Sequence, residues 1–155
     1  MRPKLELFIR GLPKGQPRAR ATRFGAHARV YNPGDADGWK TIVRTETAAL
    51  WDKVQFEGAV RLELNFFMAR PKHHYNKKGL KPNAPRYHTS RPDADNLAKS
   101  VMDALSNLGV WKDDCQVSCL SVTKFYVATL AGATGMLLSI SEACQEQPQP
   151  QHHVD

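Results

Sequence analysis

The stretch from Asp95 to Gly109, DNLAKSVMDALSNLG, leaves little choice but a helix with one apolar face. Leu97, Val101, Ala104, Leu105 and Leu108 recur at steps of four, three, one and three. Asp95 stands where an N-cap is expected, with Pro92 and Asp93 leading in, and Gly109 is the expected residue just past the C-terminus. Such a face has to be covered. With 155 residues, 41% of them hydrophobic, the chain can supply one core but not two comfortable ones.

The cover comes from strands and one more helix. KLELFIR (residues 4–10) sets Leu5, Leu7 and Ile9 on one face, and AVRLELNFFMA (59–69) does the same with Val60, Leu62, Leu64 and Phe66. Between them, Gly38 to Val54 predicts a helix with Trp39, Ile42, Val43, Thr47, Leu50 and Val54 inward. VSCLSVTKFYV and GMLLSISEA, joined by ATLAGAT, predict an antiparallel pair of strands. The expected fold is a single α+β domain, a mixed β-sheet flanked by two main α-helices over residues 1–144. A disordered Gln/Pro-rich tail is expected over 145–155, with His152 and His153 incidental in it.

Two segments lack this periodicity and are rich in cations. PRARATRFGAHARVY reads as a basic arm with interleaved aromatics. Residues 70–92 carry four prolines and read as a long loop, of a length usually functional or disordered. Lys14, Arg18, Arg20, Arg23, Arg29, Lys77, Lys78 and Lys81 are the candidates for phosphate contacts, with Tyr75 and Tyr87 available for stacking. The net charge of +7 favours an acidic partner, nucleic acid or an anionic surface, without choosing between them. No apolar run approaches the roughly 20 residues of a membrane span, and no signal segment is evident, so no membrane partner is expected. Cys115, Cys119 and Cys144 lack the spacing of a zinc site or disulfide framework and are expected as small buried residues in a reducing cytoplasm.

Against this positive charge, acids gather at both ends of one helix. Asp93 and Asp95 share a side of the extended segment before it, Lys99 and Asp103 follow at successive i+4 steps, and Asp113 and Asp114 come after its stop. If the returning chain runs beside Asp93, alternation lets one of the last two complete a three-carboxylate cluster. Such a cluster needs a hard cation, and Mg²⁺ suits phosphodiester hydrolysis because it keeps positions for water and phosphate. The other reading is that Asp93 and Asp95 cap the helix and favour its dipole.

The segment RPDADNLAKSVMDALSNLGVWKDDCQV (91–117) as a whole resembles the signature of the RusA family of Holliday-junction resolvases. The pattern is an acid pair, Asp-Asn-Leu, a lysine four residues after the second acid, Asp-Ala-Leu, then Trp and a double aspartate before Gln-Val. GLPKGQPRARATRFGAHARVY is similar to the basic N-terminal loop of phage-type members, and the resemblance runs over most of residues 5–142. It departs in the longer 70–92 loop and the tail.

The resemblance implies a small Mg²⁺-dependent endodeoxyribonuclease, with Mn²⁺ as a substitute, acting as a homodimer on four-way junctions by paired symmetric nicks in DNA recombination and repair. Asp93, Asp95 and Asp114 match the metal-binding acids, Lys99 the catalytic lysine, and Asp113 and Asp103 supporting positions. Phage or prophage origin is the expectation. The rivals are a noncatalytic branched-DNA-binding protein and a flap or single-strand nuclease with the same acids.

Overall fold

The computed structural model describes residues 4–31, 36–128 and 132–144; the tail and its two histidines lie outside them. The chain runs β1 (Leu5–Arg10), β2 (Arg20–Phe24), β3 (His27–Tyr31), α1 (Asp37–Leu50), β4 (Val60–Met68), β5 (Tyr75–Asn76), β6 (Gly79–Leu80), α2 (Ala94–Leu108), β7 (Val117–Tyr126) and β8 (Gly135–Glu142). The main sheet has the order β1-β8-β4-β7, with β4 and β7 parallel and the other pairs antiparallel. It is the mixed sheet of an α+β domain.

Strict alternation in β4 buries Val60, Leu62, Leu64, Phe66 and Met68 on one side, where Leu7 and Ile9 of β1 and Met136, Leu138 and Ile140 of β8 join them. Both helices cover this side. Helix α2 presents Leu97, Ala98, Val101, Ala104 and Leu105, and α1 presents Trp39, Val43 and Thr47.

Strands β7 and β8 are not neighbours, contrary to the expected pair, because β4 lies between them. A strand-helix-strand crossover through α2 sets β7 parallel on the far side of β4. Helix α1 also stops earlier than expected, at Leu50. Val54 N–H is taken by Asp52 Oδ1 at 2.9 Å, and Leu50, Val54 and Ile42 are exposed. None of the three cysteines is buried: Cys115 and Cys144 are exposed and Cys119 is half-buried.

The basic arm is a hairpin rather than a loop. β2 pairs antiparallel with β3 across Gly25-Ala26, and Gly25 takes a positive φ of 59°. The 70–92 segment is likewise built. It holds the β5–β6 hairpin, and Arg70 ties it down, donating to Val127 O at 2.9 Å and Pro85 O at 2.7 Å. His88 N–H donates to Lys124 O and Tyr126 N–H to Arg86 O, each at 3.0 Å, so residues 86–88 line the outer edge of β7. That shields an otherwise open strand edge.

The side of the sheet away from the helices bears an aromatic row. Phe8, Phe67, Phe125 and Tyr87 follow one another with ring centroids 6.0, 5.6 and 5.5 Å apart, and Arg86 lies over the last two rings.

Candidate active site

Helix α2 organises the acids. Asp93 is its N-cap by backbone geometry, φ −70° and ψ 149°, one turn ahead of Leu97, whose N–H donates to Asp93 O at 3.0 Å. Asp95, the expected cap, sits inside the first turn instead. Neither carboxylate behaves as a simple cap: Asp93 makes no capping hydrogen bond, and Asp95 is exposed, with Arg18 at 3.9 Å. The acids remain favourable to the helix dipole, yet their oxygens are not used up by it.

A strap of residues 11–18 is laid along this end of α2. Gln16 N–H donates to Asn96 O at 2.8 Å, and the buried Ser100 hydroxyl donates to Lys14 O at 2.7 Å. Gly15 permits the approach, since a Cβ there would lie 3.1 Å from Asn96 Cβ and 3.2 Å from Pro92 Cβ. Exposed Arg18 thereby comes within 3.9 Å of Asp95, and exposed Lys14 is anchored through its carbonyl at Ser100. Further along, pairing sets Arg20 opposite Tyr31, Thr22 opposite Arg29 and Arg23 opposite Ala28. Lys77 and Lys78 are exposed on the β5–β6 turn and Lys81 is half-buried.

The second group of acids forms where the chain leaves α2. Gly109, at φ 86°, donates its N–H to Leu105 O and Ser106 O and turns the chain so that Trp111 is buried. A single helical turn over Asp114–Gln116 follows. Its cap is Asp113, whose Oδ1 accepts Cys115 N–H at 2.9 Å while Gln116 Oε1 accepts Asp113 N–H at 3.1 Å. The hydrogen bonds from Cys115 hold Asp113 below the usual carboxylate range, and the same contact raises the Cys115 thiol. Asp113 is thus occupied with local structure.

Asp114 turns toward the helix. Its Oδ1 accepts from Ser106 Oγ and, at 3.0 Å, from Trp111 Nε1, while its Oδ2 lies 3.6 Å from Lys99 Nζ. Lys99 in turn donates to Asp103 Oδ1 at 2.8 Å, and Lys40 stands 4.0 Å from Asp103 Oδ2. The hydrogen bond to Asp103, helped by the attraction of both carboxylates and opposed by partial burial, raises the Lys99 pKa. Lys99 is therefore protonated at neutral pH, a donor and a counter-charge rather than a base.

The predicted residues fall into two neighbouring groups. Lys99, Asp103 and Asp114 meet, and Asp95 meets Arg18. The expected convergence of Asp93, Asp95 and Asp114 is not seen, since among the described residues no three acidic, histidine or cysteine side chains gather closely enough to hold one ion. The cause is axial: Asp114 is held at the level of Ser106, eleven residues beyond Asp95, or roughly 16 Å along an ideal helix.

The donor chemistry nonetheless fits a hard divalent ion, because every candidate ligand is a carboxylate oxygen. Asp93 is free of capping, the Arg18 contact of Asp95 is long, and Asp114 Oδ2 faces an ammonium at 3.6 Å. Lys40, Ser106, Trp111, Ser100 and Gly15 were not singled out as site residues from sequence. The Asp113-x-x-Gln116 spacing of a capping box was the available signal for which of the two adjacent acids is engaged locally.

The family profile for Endodeoxyribonuclease RusA matches residues 10–134, from the strap to the end of the β7–β8 connection. The chain belongs to the RusA family. A Bacillus subtilis (strain 168) relative bearing the name Uncharacterized protein YqaN is 30% identical over 125 residues, covering 79% of this chain and 87% of that one. RusA membership makes the protein an endodeoxyribonuclease of the resolvase type. None of its described helices is long and apolar enough to cross a membrane.

Proposed function

We propose that the protein is a Mg²⁺-dependent resolvase that cuts four-way DNA junctions by paired, symmetric nicks, with Mn²⁺ as a substitute ion. The observation that carries the reading is the meeting of opposite charges at α2: uncommitted carboxylates at its N-terminus lie directly beneath a strap carrying Lys14 and Arg18. Surfaces that grip phosphate and groups that hold a cation thus share one edge of the molecule.

In this reading Asp93, Asp95 and Asp114 supply the ligands for one or two ions, Asp93 and Asp95 at the start of α2 and Asp114 beside Lys99. When bound, the divalent ion supplies charge against the scissile phosphate and lowers the pKa of the attacking water. Lys99, protonated and largely exposed, donates to a phosphate oxygen as negative charge builds on it. Asp103, flanked by Lys40, keeps Lys99 on the correct side of the helix. Lys14, Arg18, Arg20, Arg23, Arg29, Lys77, Lys78 and Lys81 hold the arms through their phosphates, which fixes register without reading sequence.

A four-way junction is close to two-fold symmetric, so a C2 homodimer presents one site to each of two equivalent strands. The partly exposed aromatic row Phe8, Phe67, Phe125 and Tyr87, with Arg86 over its last two rings, supplies surface for such a partner. The reading assigns it a cytoplasmic role in DNA recombination and repair, in a bacterial or phage-infected cell.

The test is cleavage of an end-labelled synthetic four-way junction with Mg²⁺ or EDTA, beside flap, duplex and single-stranded controls, for the native protein and Asp95→Asn. Paired nicks that need the metal and vanish in the variant, with junction binding retained, are expected. Preferential cutting of the flap or single strand would replace the resolvase reading, and junction binding without any nick would refute it.

A further inference from the structure

We propose that Ser106 and Trp111 are positioning residues that lock the rotamer of Asp114 and leave only one of its oxygens available to a cation. The inference rests on the reading of Asp114 as a metal ligand and deepens it.

A carboxylate offers two oxygens that exchange by rotation about χ2, and an exposed aspartate samples both. Asp114 does not have that freedom. Ser106 Oγ and Trp111 Nε1 both donate to Oδ1, and Trp111 Nε1 also lies 2.7 Å from Ser106 Oγ, so the three groups close a triangle. Its indole corner is immobile, since Trp111 is 1% exposed within the core. With Oδ1 saturated, Oδ2 is directed at Lys99.

A packing role alone does not account for this arrangement. A buried indole N–H needs one acceptor, and the Ser106 hydroxyl at 2.7 Å already supplies it. A half-buried carboxylate is a costly second partner when a neutral one is present. Asp114 gains more from the network than Trp111 does, because two donors fix one oxygen and define the direction of the other. Hydrogen bonds of this kind behind a ligating carboxylate orient it for its ion, and removing them typically lowers metal affinity by about 10 to 100-fold.

The experiment is calorimetric titration of Mn²⁺ into the full-length protein without DNA, for the native chain, Asp114→Asn, Ser106→Ala, Ser106→Thr and Trp111→Phe. Melting temperature and junction binding in EDTA are measured alongside. Ser106→Ala and Trp111→Phe are expected to bind Mn²⁺ at least about 10-fold more weakly, Ser106→Thr to recover most of that affinity, and junction binding in EDTA to stay unchanged. If Trp111→Phe fails to fold, the Ser106 pair decides the matter.

Native-like Mn²⁺ affinity in Ser106→Ala, even with a lowered melting temperature, overturns the inference and reduces the network to packing. The underlying reading fails in a different way: no binding by the native protein, or native-like binding by Asp114→Asn, removes Asp114 as a ligand whatever Ser106 does.

Discussion

Replacing Lys99 with glutamine should separate two roles that one side chain could have, counter-ion to its own carboxylates or donor to the substrate. The stability term is small. Lys99 is 57% exposed, against 25% for Asp103 and 30% for Asp114, so its two ion pairs lie in the screened regime where each contributes about 0.2 to 1 kcal/mol. Both acids keep other partners after the change, Lys40 for Asp103 and the Ser106–Trp111 pair for Asp114, and the glutamine amide can still donate. The total destabilisation should be about 1 kcal/mol, a fall in melting temperature of about 2 to 4 °C for a domain of this size.

The chemical term is larger. Removing one donor that meets developing charge costs about 10² to 10³ in rate, or roughly 2.7 to 4 kcal/mol. The assay pairs single-turnover junction cleavage at saturating protein and Mg²⁺ with scanning fluorimetry. A rate down by at least about 100-fold with a shift of only a few degrees is expected. Because Lys99 competes with a cation for Asp114, metal affinity should hold or rise. A variant that cuts within about 10-fold of native while losing much more stability would refute the reasoning and leave Lys99 a structural counter-ion.

Three further outcomes follow from the geometry. Gly135→Ala should destabilise by more than about 3 kcal/mol in chemical denaturation, since φ is 155° and the new Cβ would lie 2.2 Å from Ile9 O, forcing β1 off β8. Changing Arg18, Arg20 and Arg23 to alanine should reduce the salt slope of junction affinity by about 0.9 for each phosphate no longer neutralised, and an unchanged slope would remove them from the interface. Stability should decline as the solution is acidified below pH 6.5. Burial, reinforced by Lys124 for His88 and by His73, Arg70 and Lys81 for His74, lowers both histidines from 6.5. The folded state therefore binds fewer protons than the unfolded chain, and the stability present above 6.5 drains away as pH falls toward the folded values. Melting curves from pH 7.5 to 5 that show the same slope in His88→Asn as in the native protein would count against this assignment.

Much of the fold could be read from period and punctuation. β4 and α2 each carry an uninterrupted apolar pattern, and every position that pattern assigned to the core of β4 is buried. The reading failed where the deciding partner was distant in sequence. The connection 128–134 suggested that β7 and β8 pair, but adjacency belongs to β4, whose two edges accept both strands. Residues 20–31 looked like a basic loop because their arginines masked a two-residue turn at Gly25-Ala26, and residues 70–92 looked free because nothing local announced that Arg70 would hold Val127 and Pro85.

The site divides along the same line. Helical spacing fixed the angular relation of Asp95, Lys99 and Asp103, and the Lys99–Asp103 contact at 2.8 Å follows from it. It could not fix the level at which the returning chain meets the helix. That level is set by Trp111: once its ring is buried, its N–H must find a polar partner, and Ser106 of α2 is the nearer of the two it reaches. Asp114, three residues on, is carried to the same height, beside Lys99 rather than Asp93. The third acid is thus located by an aromatic residue that carries no charge, which is why counting carboxylates finds the members of the site but not their arrangement.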